Sequence, residues 1–90
     1  MKCSNCGKNV TRGYTIYGSI VLCSDCNEVL ERIIRRYVNK YLKHKIFGMP
    51  LPTIEEHFKE CKEELSKLRL TYDFIEHLIL TRIMRYETRA

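Results

Sequence analysis

The chain has 90 residues and a formal net charge of +5, with 44% hydrophobic and 30% charged residues. This composition excludes a disordered chain, and the length fits one small domain whose modest core needs support from a metal or a partner subunit. No apolar run reaches membrane-spanning length and the N-terminus lacks a signal-peptide core, so we expect a cytoplasmic protein without membrane contact. The lack of Gln and Trp beside many charged and aliphatic residues favours a thermophilic source.

Two cysteine pairs, Cys3 with Cys6 and Cys23 with Cys26, each have the C-x-x-C spacing. Four thiols grouped two and two are typical ligands of a structural, tetrahedral Zn²⁺ site, which stabilises a segment too short to fold alone. We therefore predict one structural zinc ion as cofactor. Two disulfides are the alternative, because thermophiles do form them inside the cell. Since four thiolates leave the metal no open position, no catalytic role is expected for it.

The loop between the two pairs predicts a β-hairpin that leads into a helix. Two β-rich runs, 14–17 and 20–22, flank Gly18 and Ser19, and glycine supplies the positive φ of a type II′ turn. Asp25 followed by Glu28 has the spacing of a helix cap, which places Cys26 in the first helical turn. We predict a zinc-binding head with a hairpin over residues 1–26 and a basic amphipathic helix over residues 24–47.

The turn that carries the first cysteine pair (residues 3–8, the knuckle), the hairpin and the helix N-terminus follow one another in the order of a treble-clef zinc finger. Over residues 3–34 the chain resembles the N-terminal zinc-binding domain of the ClpX unfoldase. The motifs that carry the resemblance are Cys3-Ser4-Asn5-Cys6-Gly7-Lys8 and Cys23-Ser24-Asp25-Cys26-Asn27-Glu28. It implies a treble clef with the four cysteines as ligands, which dimerises and recruits adaptors and substrates. It does not imply unfoldase activity, because these 90 residues contain no Walker A motif.

The excess positive charge is concentrated in the first half of the chain. Residues 27–48 hold six basic and two acidic side chains, and residues 1–26 hold three basic and one acidic. On the predicted helix a row of basic residues lies opposite the apolar stripe, and such a row can follow a phosphate backbone. We predict contacts to DNA or RNA from Lys2, Lys8, Arg12, Arg32, Arg35, Arg36, Lys40 and Lys43. The alternative is an ordinary solvated polar face.

Residues 53–88 begin with a capping box, Thr53 and Glu56, and then show apolar residues at alternating spacings of four and three. This seam comprises Ile54, Phe58, Cys61, Leu65, Leu68, Tyr72, Ile75 and Ile79. A long continuous or slightly kinked amphipathic helix is favoured. The alternative is two consecutive helices with a break near residues 69–73, where Thr71 offers a second cap. The seam is either the core of one chain or the interface of a homodimer, which we favour.

These features predict an α+β fold that is mostly α, with a small treble-clef-like zinc head, one β-hairpin and two or three following α-helices. The favoured function is a small zinc-binding, nucleic-acid-binding protein, acting as a dimeric DNA-binding transcription regulator. The alternative is a protein-interaction or adaptor module that docks on a larger complex through its head or its helical tail. No Ser/His/Asp set and no phosphate-binding glycine loop occurs, so we expect no enzyme activity.

Overall fold

The structure, a computed structural model, describes residues 1–88. Its elements are β1 (Thr15–Tyr17), β2 (Ile20–Leu22), α1 (Ser24–Phe47), α2 (Ile54–Glu60), α3 (Lys62–Ser66) and α4 (Tyr72–Thr88). A two-stranded antiparallel hairpin is followed by helices, and the four cysteines cluster near the N-terminus. The predicted α+β class, mostly helical with a four-cysteine head, is confirmed.

The head folds as a tight knuckle followed by the hairpin. In the knuckle, the amide of Gly7 donates to the carbonyl of Cys3 over 2.9 Å. In the hairpin, Tyr17 pairs with Ile20 across a two-residue loop in which Gly18 has a φ of 62°. Only glycines have positive φ within residues 1–88, so the second loop residue has a negative φ. A positive φ followed by a negative one fits the predicted type II′ turn.

Helix α1 begins directly at the cysteine cluster. Its N-cap is Cys23, which has extended backbone angles and makes no side-chain capping bond, whereas Asp25 lies inside the first turn. The cap predicted at Asp25 is therefore wrong, because the helix already starts at the residue after Cys23. At the other end, Gly48 adopts the left-handed conformation with a φ of 69°, and its amide donates to the carbonyl of His44 over 2.9 Å.

The favoured continuous helix over residues 53–88 is wrong, because the helix ends at Ser66 and a new one begins at Tyr72. Thr53 accepts a hydrogen bond from the amide of Glu56, as the capping box predicted, over 3.2 Å. The hydroxyl of Thr71 accepts from the amide of Phe74 over the same distance, so the second cap starts α4. A further interruption separates α2 from α3. The break near residue 70 turns the chain so that α4 packs along α1.

Helix α1 contacts α3 and α4, and the buried side chains of all three helices form one core with the head. The core residues with no exposed surface include Leu30, Ile33 and Ile34 of α1 and Ile75 and Ile79 of α4. Burying each aliphatic side chain of this size contributes about 1.5–3 kcal/mol. The core therefore joins the head and the helices into one packed unit.

The predicted seam is used mainly inside the chain. Cys61, Leu65, Leu68, Ile75 and Ile79 are all buried in this core of the single chain. The other three members lie further out: Ile54 and Phe58 are half-buried, and Tyr72 is 62% exposed. Within residues 1–88, no helix combines the length and the apolar character needed to cross a membrane.

Candidate metal centre

Four cysteine sulfurs converge where the knuckle meets the start of α1. The Sγ atoms of Cys3, Cys6, Cys23 and Cys26 all lie within 4.8 Å of one another, and those of Cys6 and Cys23 are 3.7 Å apart. A tetrahedral thiolate centre with Zn–S bonds of about 2.3 Å requires sulfurs about 3.8 Å apart. The cluster therefore has the dimensions and the donor atoms to hold a metal ion of this kind. No other group of three or more His, Cys, Asp or Glu side chains in residues 1–88 converges in this way.

Two separate pieces of local structure deliver these ligands. The knuckle presents Cys3 and Cys6, whereas Cys23 follows β2 and Cys26 lies in the first turn of α1. The amide of Cys23 donates to the Sγ of Cys3 over 3.3 Å, a contact that favours a thiolate at that sulfur. Cys3, Cys23 and Cys26 are buried and Cys6 is exposed. The hairpin returns the chain to the knuckle and so brings together the four cysteines that the sequence spacing predicted.

The cysteines differ in how readily they lose a proton. Burial opposes ionisation of Cys3, but hydrogen bonds from the backbone at Cys6 and Cys23 lower the pKa of its thiol to about 6. Burial raises the pKa of Cys26 to about 12, and the neighbouring thiols add to this effect. A metal ion binds thiolates, so it must displace the proton that Cys26 holds at neutral pH. Metal affinity is therefore expected to fall as the pH falls.

Asn5 contacts the cluster and was not among the residues predicted from the sequence. Its side chain is buried, and its Nδ2 donates to the Sγ of Cys26 over 3.2 Å and to the carbonyl of Lys67 over 3.0 Å. Its Oδ1 accepts from the amide of Arg69. An Asn inside a knuckle carries no distinctive sequence signal, because Asn is common in turns of every kind.

The predicted nucleic-acid contacts fall into two groups. The first group, all on α1, has carboxylate partners: Arg32 with Glu28, Arg35 with Glu28 and Glu31, Arg36 with Glu64, and Lys40 with Glu60. The second group is exposed and has no carboxylate partner among residues 1–88: Lys2, Lys8, Arg12 and Lys43. The acidic partners from α2 and α3 lie twenty or more positions along the chain, so helical periodicity gave no sign of them.

An open cleft lies between α2, α3 and the start of α4. It has a volume of about 440 Å³ and is lined by Glu55, Phe58, Lys59, Lys62, Leu65 and Tyr72. The rings of Phe58 and Tyr72 are 5.4 Å apart at 39°, so they form a single apolar wall. The two aromatic members of the predicted seam, half-buried Phe58 and exposed Tyr72, thus line this cleft.

Comparisons of the chain with models of protein families, with curated proteins and with solved structures find no match. The resemblance of residues 3–34 to the ClpX zinc-binding domain rests on the cysteine motifs and stays a prediction. The structure itself shows a four-cysteine cluster at the N-terminal end of α1, with exposed cations on the head and on the helix.

Proposed function

We propose that the metal is a structural zinc ion and that the protein binds nucleic acid through its head and the outer face of α1. The observation that carries the proposal is the exposed cations. Lys2, Lys8 and Arg12 on the head and Lys43 on α1 have no carboxylate partner among residues 1–88. Unpaired exposed cations of this kind neutralise phosphates and release bound counterions, which drives association at low salt.

The ion pairs on α1 are compatible with such a surface. The side chains of Arg32, Arg35 and Arg36 are 58%, 57% and 52% exposed although each contacts a carboxylate. Ion pairs at this level of exposure contribute only about 0–1 kcal/mol, so a phosphate replaces the carboxylate at little cost. The paired arginines therefore supplement the four unpaired cations without being the main source of affinity.

The zinc ion has a structural role in this proposal. All four ligands are thiolates, so no coordination position is open to a substrate and no reaction is proposed. The ion holds the knuckle against the first turn of α1, which fixes Lys8 and Arg12 of the head relative to Lys43 of the helix. Metal analysis of the purified protein is expected to give one zinc ion per chain.

The salt dependence of binding to labelled duplex DNA and RNA, measured by fluorescence anisotropy, tests the proposed surface. If Lys2, Lys8, Arg12 and Lys43 each neutralise one phosphate, the slope of log affinity against log salt is expected to be at least about 3.6 in magnitude at about 0.9 per contact. Comparing the two nucleic acids shows which one the surface prefers.

A charge-matched pair of triple variants locates the surface. Replacing Lys8, Arg12 and Lys43 by Ala is expected to reduce the salt slope by about 2.7. Replacing three other exposed lysines, Lys59, Lys62 and Lys67, removes the same charge elsewhere and serves as the control. An equal loss in both variants would mean that net charge alone drives binding, and the assignment of this face would be abandoned.

A second candidate function is docking to a protein, and the open cleft favours it. Its volume of about 440 Å³ lies within the range of sites that take a ligand or a partner's side chain. Tyr72, at 62% exposed, would be the main contact. Affinity purification after nuclease treatment, with the wild-type protein and Tyr72→Ala side by side, tests this candidate. Only a stoichiometric partner that is lost in the variant would support this candidate. Sedimentation of the same two proteins tests the expected homodimer.

A further inference from the structure

Asn5 joins the metal centre to a distant part of the chain. Its amide group contacts Cys26, one of the four metal ligands, and also the backbone of Lys67 and Arg69, more than sixty positions away. Lys67 and Arg69 lie in the connection between α3 and α4. One side chain thus contacts both a metal ligand and the segment that positions the last helix.

We propose that Asn5 is a positioning residue that couples metal binding at the four cysteines to the docking of the α3–α4 connection and of α4. The proposal rests on the metal centre and does not depend on nucleic-acid binding. With the metal held, Asn5 donates one N–H to the sulfur of Cys26 and the other to the carbonyl of Lys67. Without the metal, the knuckle loses the ligand bonds that fix it, and Asn5 loses its place between the two partners.

The hydrogen bonds of the Asn5 side chain support this role. An amide side chain has two N–H donors and a carbonyl acceptor, and in Asn5 all three find protein partners. These bonds also satisfy backbone groups of the connection that no helix satisfies. Because Asn5 is buried, with 6% of its surface exposed, water does not readily replace these partners. Loss of any one partner therefore weakens the hold on the others.

The connection that Asn5 contacts leads directly into the packing of α4. Leu68 is buried next to the two bonded residues, and Thr71 caps α4 three residues further on. Phe74, in the first turn of α4, packs edge-on against Tyr17 of the hairpin with 6.0 Å between ring centroids. The start of α4 is thus attached to the head on two sides, and one of the two attachments runs through the metal centre.

Hydrogen exchange of the zinc-loaded protein tests the link, with the amide of Arg69 as the reporter. Asn5→Ala removes the acceptor for that amide, so its exchange is expected to speed up tenfold or more. Zinc affinity, measured by competition with a chromophoric chelator, is expected to fall about 10- to 100-fold, as for other residues that orient metal ligands. Asn5→Asp fills nearly the same space without the N–H donors and is expected to lose at least as much zinc affinity.

Ser4→Ala is the matched control, because it alters the same knuckle without touching the connection. The Ser4 hydroxyl accepts from the amide of Val21 over 3.0 Å, and its loss is expected to leave exchange at Arg69 unchanged. Equal exchange at Arg69 in the Asn5→Ala and Ser4→Ala proteins would overturn the proposal, and so would wild-type zinc affinity in Asn5→Asp.

The coupling is reciprocal, so it can also be tested from the far end. Leu68→Ala loosens the connection but leaves Asn5 and all four cysteines in place. This variant is expected to bind zinc more weakly although the substitution lies outside the metal centre. Zinc affinity equal to that of the wild-type protein, in a folded Leu68→Ala variant whose Arg69 amide exchanges faster, would overturn the proposal. This arm decides the question if the Asn5 variants fail to fold.

Discussion

Replacing Arg82 by Met removes its ion pair with Glu31, one of two that join α4 to α1 among the described residues. Arg82 donates through both terminal nitrogens to Glu31, with Nη1–Oε2 and Nη2–Oε1 distances of 2.7 Å and 2.8 Å. Their side chains are only 27% and 19% exposed, so the pair is better shielded from water than the other ion pairs of α1. Methionine keeps much of the apolar stem of Arg and loses only the guanidinium group.

The geometry sets the expected magnitude. A hydrogen bond to a charged group contributes about 1.5–3 kcal/mol, and here two of them share one carboxylate. Glu31 keeps a weaker contact at 3.9 Å to Arg35, so its charge is not left wholly unpaired. We therefore expect Arg82→Met to lower the free energy of unfolding by about 2–3 kcal/mol, which corresponds to about 10–20 °C in Tm for a chain of this size.

Urea denaturation of the zinc-loaded protein measures this difference, and a double-mutant cycle with Glu31→Gln isolates the pair. A coupling free energy of about 1.5 kcal/mol or more is expected. Arg85→Met is the control, because Arg85 is exposed in the last turn of α4 and the change should stay within about 0.5 kcal/mol. A coupling below about 0.5 kcal/mol would refute the argument that this pair is shielded and contributes to stability.

The same pair predicts a pH dependence. The hydrogen bonds from Arg82 hold the pKa of Glu31 below its ordinary value, and the charge of Arg35 acts in the same direction. Because the folded pKa lies below the unfolded one, the contribution is fully present above about pH 4.3 and is lost as the pH falls through the folded pKa. The difference in stability between wild type and Arg82→Met should therefore shrink in acid.

Three further predictions concern other parts of the chain. Burial and the charge of Lys40 lower the pKa of His57. The free energy of unfolding should therefore fall as the pH drops below about 6.5, because the unfolded chain binds the proton more readily there. In thermal melts, the dependence of Tm on pH should be flatter in His57→Gln and should be retained in the control His77→Gln, since His77 is exposed. Gly48→Ala should lower the free energy of unfolding, measured by urea denaturation, by about 1–2 kcal/mol. The added Cβ meets no neighbouring atom within 4 Å, so only the left-handed backbone conformation opposes the substitution. An unchanged free energy of unfolding would contradict that conformation. A strong chelator should abolish the chemical-shift dispersion of residues 1–26, and a head that stays folded without metal would refute a structural role.

Short-range sequence patterns predicted the parts of the fold that depend on neighbouring residues. The four cysteines of the candidate metal centre follow from C-x-x-C spacing, the hairpin turn from Gly18, and the start of α2 from the Thr53 capping box. Each signal lies within a few residues of the structure it specifies. Local rules were also enough to mark Thr71 as a helix cap, although they did not decide between one helix and two.

Features that depend on distant parts of the chain were not predictable in this way. The carbonyl of Lys67, just beyond the end of α3, accepts a hydrogen bond from Asn5, and this contact is not visible in the helical periodicity of residues 53–88. Likewise, the basic face of α1 looked unopposed in sequence because Glu60 and Glu64 reach it only after the chain reverses. His57 lies outside the predicted seam, yet it is fully buried with its Nε2 2.9 Å from the carbonyl of Ile33.

If the four cysteines hold a metal ion, their unequal exposure affects the rate of metal exchange and the metal affinity through different residues. Cys3, Cys23 and Cys26 are buried, and Cys6 alone is exposed to solvent. Competing thiols and oxidants attack the sulfur that they can reach, so exchange of the metal should begin at Cys6. Changes around Cys6 would then alter how fast the ion leaves, whereas changes around the three buried sulfurs would alter how tightly it is held.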